Sequence, residues 1–317
     1  MLSPLGVFAA CGQVLEDTPP RGLVDASASN EAATDGAPGS DVFVDAGSCD
    51  PTKPFGTPVR LKGIPFGASC MRLSQDEQLA FYTIDFDSYV ATRTADGFVQ
   101  TSLLAVEPSL MPSGGSAICP TFSADRTMLF HEIDFAVWRQ TGVPGGRYAK
   151  KTQVQARYAD GGAFMSSYLG IPYFDEPRHE LYVTVGYLGA EFGNRWNIAV
   201  APVTDAGAVG GFRILDLLTD RDQRPVISAD GLSLYFESLG ADAASDASDA
   251  ETDVHVARRS TLSDPFGPAT KVPNVNGPGR DRPTWISPDD CRLYIASWRE
   301  RPVYGDPSEM FVATRGR

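Results

Sequence analysis

The stretch SADGLSLYFESL, Ser228–Leu239, returns in altered form as SPDDCRLYIASW, Ser287–Trp298. Both open with a Ser-x-Asp triplet, and both place Leu-Tyr six and seven residues after the serine. Two further copies are SQDEQLAFYT at Ser74 and SADRTMLFHE at Ser123. A degenerate one, DEPRHELYVT at Asp175, lacks the Ser and Asp but keeps Leu181-Tyr182. The anchors 74, 123, 175, 228 and 287 are therefore 49, 52, 53 and 59 residues apart. Ser and Asp side chains bond nearby backbone groups and suit tight turns. The aromatic and β-branched residues that follow suit strands.

Each unit has the same internal order. An extended segment precedes the anchor, as in RPVIS (224–228) or RPTWIS (282–287), and the turn then leads into a second strand. After a variable loop comes a third: YVATR (89–93), AVWRQ (136–140), NIAVA (197–201), VHVAR (254–258) and FVATR (311–315). A weaker fourth reads GFVQTSLLAV (97–106) or PFGPATKV (265–272). Four strands in a repeat of about 50 residues is the plan of a propeller blade, whose recurring turn and strand pack each unit on the next. The expected fold is all-β: a single β-propeller of five blades, with six as the alternative count.

The last unit ends after its third strand. Its missing fourth is expected at the other end of the domain, where PFGTPVRLKGI (54–64) parallels the fourth-strand segment PFGPATKVPNV (265–275). Residues 55–63 should then pair with the strand near Phe311–Arg315, leaving no open blade edge. Across residues 54–317 the Ser-x-Asp turn with its aliphatic-aromatic strand resembles the TolB-type, WD-like propeller repeats. The resemblance implies the fold. It does not fix a function, because such rings serve as binding platforms, accessory domains and occasionally enzymes.

The chain has 317 residues and a net charge of −13. That balance argues against nucleic acid and against electrostatic binding to an anionic membrane. The opening MLSPLGVFAAC resembles the end of a bacterial lipoprotein signal, which implies a lipid on Cys11. It departs from that pattern in its short apolar run and in lacking a preceding Lys or Arg, which a start further upstream would explain. Residues 12–53, rich in Asp, Ala, Ser, Gly and Pro, read as a disordered acidic linker. The expected organisation is a signal-like segment 1–11, the linker 12–53 and the propeller 54–317, lipid-anchored in the cell envelope (outer membrane or periplasm).

With Cys11 set aside, Cys49, Cys70, Cys119 and Cys291 remain, which in an exported protein suggests disulfides. Cys291 sits in the first turn of the last blade and Cys49 just before the borrowed strand, so a bridge between them would fasten the ring. Cys70 and Cys119 each stand four residues before an anchor, in adjacent blades, and are a second candidate pair. There is no CxxC pair and no GxSxG elbow, so neither a zinc site, a catalytic nucleophile nor a cofactor is expected.

The recurring Asp76, Asp125, Asp230 and Asp289 read as structural turn residues. Candidate channel carboxylates are Glu132 and Asp175, which at a suitable separation would act as acid and base. The acidic insertion 240–253 reads as a solvated loop. Tyr187, Trp196, Trp298 and Tyr304 fall in or near loops between second and third strands and are the candidate binding residues. The function expected is a monomeric, non-catalytic binding or scaffolding platform that meets a protein or glycan partner at one loop face. The alternative is a carbohydrate-active enzyme using channel carboxylates.

Overall fold

A computed structural model describes residues 49–85, 87–104, 118–142, 148–162, 168–187, 195–217, 219, 221–239, 251–300 and 308–317. Cys11 and most of the linker lie outside the described residues. A short N-terminal strand, β1 (Val59–Arg60), is followed by blade 1: β2 (Ser69–Leu73), β3 (Leu79–Ile84), β4 (Asp87–Thr94) and β5 (Gly97–Leu103). Blade 2 holds β6 (Ile118–Phe122), β7 (Met128–Ile133), β8 (Ala136–Thr141) and β9 (Ala149–Gln153). Blade 3 holds β10 (Tyr168–Asp175), β11 (Glu180–Tyr187), β12 (Arg195–Pro202) and β13 (Arg213–Ile214). Blade 4 holds β14 (Gln223–Ile227), β15 (Ser233–Ser238), β16 (Asp253–Arg258) and β17 (Thr270–Lys271). Blade 5 holds β18 (Asp281–Ile286), β19 (Arg292–Ser297) and β20 (Glu309–Thr314), and β1 pairs with β20 as its fourth strand. All five sheets are antiparallel meanders. The first strands β2, β6, β10, β14 and β18 touch one another in turn around the ring, so they surround its channel.

The repeated turn has one construction in four blades. The anchor serine donates its hydroxyl to the aspartate two residues on: Ser74–Asp76, Ser123–Asp125, Ser228–Asp230 and Ser287–Asp289, at 2.5–2.6 Å. That carboxylate accepts the backbone N–H of residue 78, 127, 232 or 291. The next position takes positive φ in each copy: Glu77, Arg126, Gly231 and Asp290. The glycine of SADG is the residue this position favours. At the first copy the side chain bonds across a blade seam instead, as Glu77 shows. It receives Arg292 and the Tyr294 hydroxyl from blade 5, at 2.5 and 2.6 Å, and Arg93 from its own blade at 3.2 Å. Asp290 pairs with Arg315, which also donates to the Tyr235 hydroxyl of blade 4. The aromatic that follows the turn is therefore a contact to the neighbouring blade. Blade 3 replaces the turn with a three-residue 3-10 turn, Glu176–Arg178, the one helical element among the described residues.

Ring closure follows the expected strand pairing but with a shorter ladder. Val59 pairs with Val312 and Arg60 with Phe311, and Phe55 bridges Arg315. Gly56 N–H donates to Thr314 O, Leu61 N–H to Met310 O and Gly67 N–H to Ser308 O, each at 2.8 Å. Phe55, buried, lies under the Arg315 guanidinium at 3.9 Å and edge-on to Tyr235. Cys49 and Cys291 are disulfide-bonded, with Cα atoms 5.8 Å apart, and so are Cys70 and Cys119, at 4.8 Å.

Candidate functional site

The inner strands share a second repeated device. At the position four before each anchor, Cys70, Cys119, Ile171 and Arg224 all take positive φ, between 49° and 58°. Each sits where its strand's register against the second strand shifts. Such bulges re-aim backbone and side chains at the rims of rings. In three seams the bulge N–H donates to a side chain nine residues after the preceding anchor. Cys119 N–H reaches Thr83 Oγ1 at 3.1 Å, Ile171 N–H reaches Glu132 Oε2 at 2.9 Å, and Arg224 N–H reaches Thr184 Oγ1 at 3.0 Å.

In blade 5 the bulge position is Pro283, which has no N–H to give. The matching acceptor in blade 4, Glu237, is 1% exposed and turns to cations instead. It accepts Arg282 Nε at 3.0 Å and the Thr252 hydroxyl at 2.7 Å, and it forms an ion pair with Arg224 Nε at 3.0 Å. Burial pushes the Glu237 carboxyl up, but Arg282 and Arg224 outweigh it and hold it below the ordinary range. Glu132 goes the other way. Burial dominates and raises it, although Ile171 N–H and the Tyr168 hydroxyl (2.8 Å) both donate to it. Arg224 also reaches across the channel to Cys70 Sγ at 3.4 Å. The symmetric ring thus carries one asymmetric charged network, on the side where second strands turn into third strands, called here the loop face.

Aromatic rings gather at the same mouth. The β7–β8 hairpin turns on Asp134-Phe135, both at positive φ, as a two-residue type I′ turn requires. Asn and Gly are the usual occupants. A phenylalanine there is strained, and its ring is 63% exposed. Phe135 lies 5.8 Å from Tyr168, and Tyr168 lies 4.9 Å edge-on from Trp196. Trp196 covers Gly186 so closely that a Cβ there would fall 2.5 Å from its ring. Trp298 stacks on Arg282 at 4.5 Å. The structure therefore brings two predicted residues, Trp196 and Trp298, to the rim of the charged network. The Tyr187 side chain and Tyr304 lie outside the described residues, as do positions 240–250 of the acidic insertion.

Glu132 and Asp175 are not brought together. Glu132 reaches Ile171, whereas Asp175 closes the same strand four residues further on, roughly 13 Å along it. That exceeds the separation of either glycosidase geometry. Asp175 is instead paired with Arg178, which also donates to Ala229 O and Ser228 O of blade 4. His131 is buried and pushed down to about 3 by desolvation, so it stays neutral in the sheet core. No group of three or more metal-ligating side chains occurs among the described residues.

The opposite mouth, on the turn face, opens into a cavity of about 410 Å³ lined by Arg72, Thr121, Tyr173, Asp175, Trp285 and the anchor turns. Arg72 Nη1 donates to Thr284 O of blade 5, and its guanidinium lies 4.9 Å from the Tyr173 ring of blade 3. Arg72 from one side and Arg224 from the other thus both cross the channel.

Burial pushes Asp175 up to about 6, against the pull of Arg178. A carboxyl raised above its unfolded value of about 4 holds its proton longer when folded, so its contribution to stability falls as pH rises from about 4 to 6. Neutral His131 acts in the opposite sense, so the clean readout is a difference between proteins. The melting temperature of Asp175→Asn minus that of wild type should be more positive at pH 7.5 than at pH 4.5. An equal difference at both pH values would contradict the assignment.

No protein-family model matches the chain, and no curated protein matches it significantly. Solved propellers do. A GH43_1 enzyme from Xanthomonas citri is 10% identical, with 83% of this chain and 89% of that chain covered and a TM-score of 0.49. TolB from Acinetobacter baumannii is 11% identical, with 84% and 56% covered and a TM-score of 0.42. The RRP9 WD40 repeats are 7% identical, with 83% and 98% covered and a TM-score of 0.42. At such identities the likeness concerns the arrangement of strands. The chain is a five-bladed β-propeller, similar to TolB-like and WD40 structures.

Proposed function

We propose that the protein is a monomeric, non-catalytic binding platform, held outside the cytoplasm by a lipid on Cys11 and by the linker 12–53, with residues 54–317 as the binding domain. Its partner, a protein or a glycan, meets the loop face. The observation that carries this reading is the exposed, left-handed Phe135 at the head of the row Phe135–Tyr168–Trp196. Backbone strain and exposed aromatic surface at one mouth are typical of recognition sites. The two disulfides support an oxidising compartment.

Retention of the whole chain on envelope material from its source cells tests the proposal. Phe135→Ala and Trp298→Ala should each weaken it by roughly tenfold or more, the scale of an aromatic hot spot. Full retention by both folded variants would place the binding surface elsewhere.

A second reading, glycan hydrolysis, draws on the opposite shifts of Glu132 and Glu237 at one mouth, a pattern that can separate an acid from a base. Against it, Glu237 is engaged by two arginines and a hydroxyl. Cleavage of any member of a glycan panel, abolished by Glu132→Gln, would establish the enzyme.

A further inference from the structure

Two arginines among the described residues are buried, Arg72 and Arg315, and they are treated differently. Arg178, Arg224, Arg282, Arg292, Arg299 and Arg315 each have a carboxylate within ion-pair distance. Arg72 is 4% exposed, and among the described residues no carboxylate pairs with it. Its guanidinium meets carbonyls only: Thr284 O, and at 3.4 Å Met71 O and Pro172 O. Nε has no partner. The edge formed by Nε and Nη2 is therefore the least satisfied part of the group, because the one contact Nη2 makes is the long one to Pro172. A guanidinium short of partners is a fork that suits a carboxylate. The repulsion of Arg224 adds to the local excess of positive charge.

The surroundings narrow the ligand. Arg72 lines the turn-face cavity of about 410 Å³, a volume in the range of small-molecule pockets. Its walls include Phe122, Tyr173, Ile227 and Trp285, which are apolar or aromatic, while Asp76 and Glu176 stand among its acidic members. The lining sets two guanidiniums, Arg72 and Arg126, against three carboxyl groups, Asp76, Asp175 and Glu176, so a ligand carrying more than one negative charge is disfavoured. We propose that this cavity binds a small organic monocarboxylate, with the carboxylate drawn to the Arg72 guanidinium and the apolar body against Tyr173 and Trp285. This site is separate from the loop face and does not depend on what binds there.

Titration calorimetry on the whole chain provides the test, using three acid and amide pairs: benzoate with benzamide, phenylacetate with phenylacetamide, and hexanoate with hexanamide. Inorganic phosphate serves as the multiply charged probe. At least one acid should bind at least about tenfold more tightly than its amide and than phosphate. Arg72→Lys should weaken that binding, Arg72→Met should remove it, and Phe135→Ala should leave it unchanged. If Arg72→Met does not fold, the acid–amide comparison on the wild type and the Arg72→Lys titration still decide. The proposal is overturned if no acid binds at millimolar concentration, if the amides or phosphate bind as tightly as the acids, or if folded Arg72→Met binds as wild type does.

Discussion

Removing residues 1–64 is expected to unfold the whole ring rather than loosen one blade. The deletion takes away the Cys49–Cys291 bridge, which closes a loop of 242 residues. Loop-closure entropy sets its upper contribution at about 5 kcal/mol. It also removes Phe55, Leu61 and Ile64 from the core, at about 1.5–3 kcal/mol for each fully buried side chain. Arg315 then loses both the Phe55 ring and Lys53 O, and β20 is left with a bare edge. The sum, about 10 kcal/mol, is comparable to the entire stability of a typical domain. The shortened chain, beginning at Pro65, should lack a cooperative melt. If it melts as the full chain does, closure by the N-terminal strand is wrong.

Glu237→Ala is expected to be the most damaging single substitution in the channel. The carboxylate is fully enclosed and neutralises both Arg224 and Arg282. Truncating it strands two partly buried guanidiniums close to the positive charge of Arg72. Breaking a buried pair from one side costs about 3–5 kcal/mol, so denaturant titration should show a loss of that size. Glu237→Gln, which keeps the acceptor oxygen for Thr252, should lose less. Because the folded carboxyl titrates below its unfolded value, its contribution is present above about pH 4.3 and disappears as pH falls further. Wild type and Glu237→Ala should therefore converge in stability at low pH. A loss below about 1 kcal/mol at neutral pH would mean that solvent reaches the arginines.

The blades, their strand order and the closure were legible in the sequence because each depends on local patterning repeated five times. Ser-x-Asp makes the turn, Leu-Tyr or its equivalent makes the seam, and the absence of a fourth strand after Thr314 points back to residues 54–64. The degenerate copy at Asp175 kept only its strand signal, and its turn did become a different structure. The charged network was not legible, because its members come from positions that carry no motif. Glu237 pairs with Arg282 at the seam where Pro283 lacks the N–H that its counterparts in blades 2, 3 and 4 donate. Reading the repeats as columns would have exposed the series Thr83, Glu132, Thr184, Glu237, Ala296 and the exceptional proline. Phe135 escaped for another reason: nothing in AVWRQ or the residues before it shows that the hairpin has only two residues and a left-handed Phe. Trp196 and Trp298 could be singled out because large aromatics beside hairpin loops are conspicuous in any strand pattern.

The central claim, recognition at the loop face without chemistry, is tested most directly by hydrogen exchange. The full chain would be mixed with solubilised envelope from its source cells and exchange followed by mass spectrometry. Protection is expected at residues 133–136, 195–198 and 297–299, with the Ser-x-Asp turns of the opposite face unchanged. Protection confined to those turns, or none at the aromatic rim while glycan products accumulate, would contradict the claim.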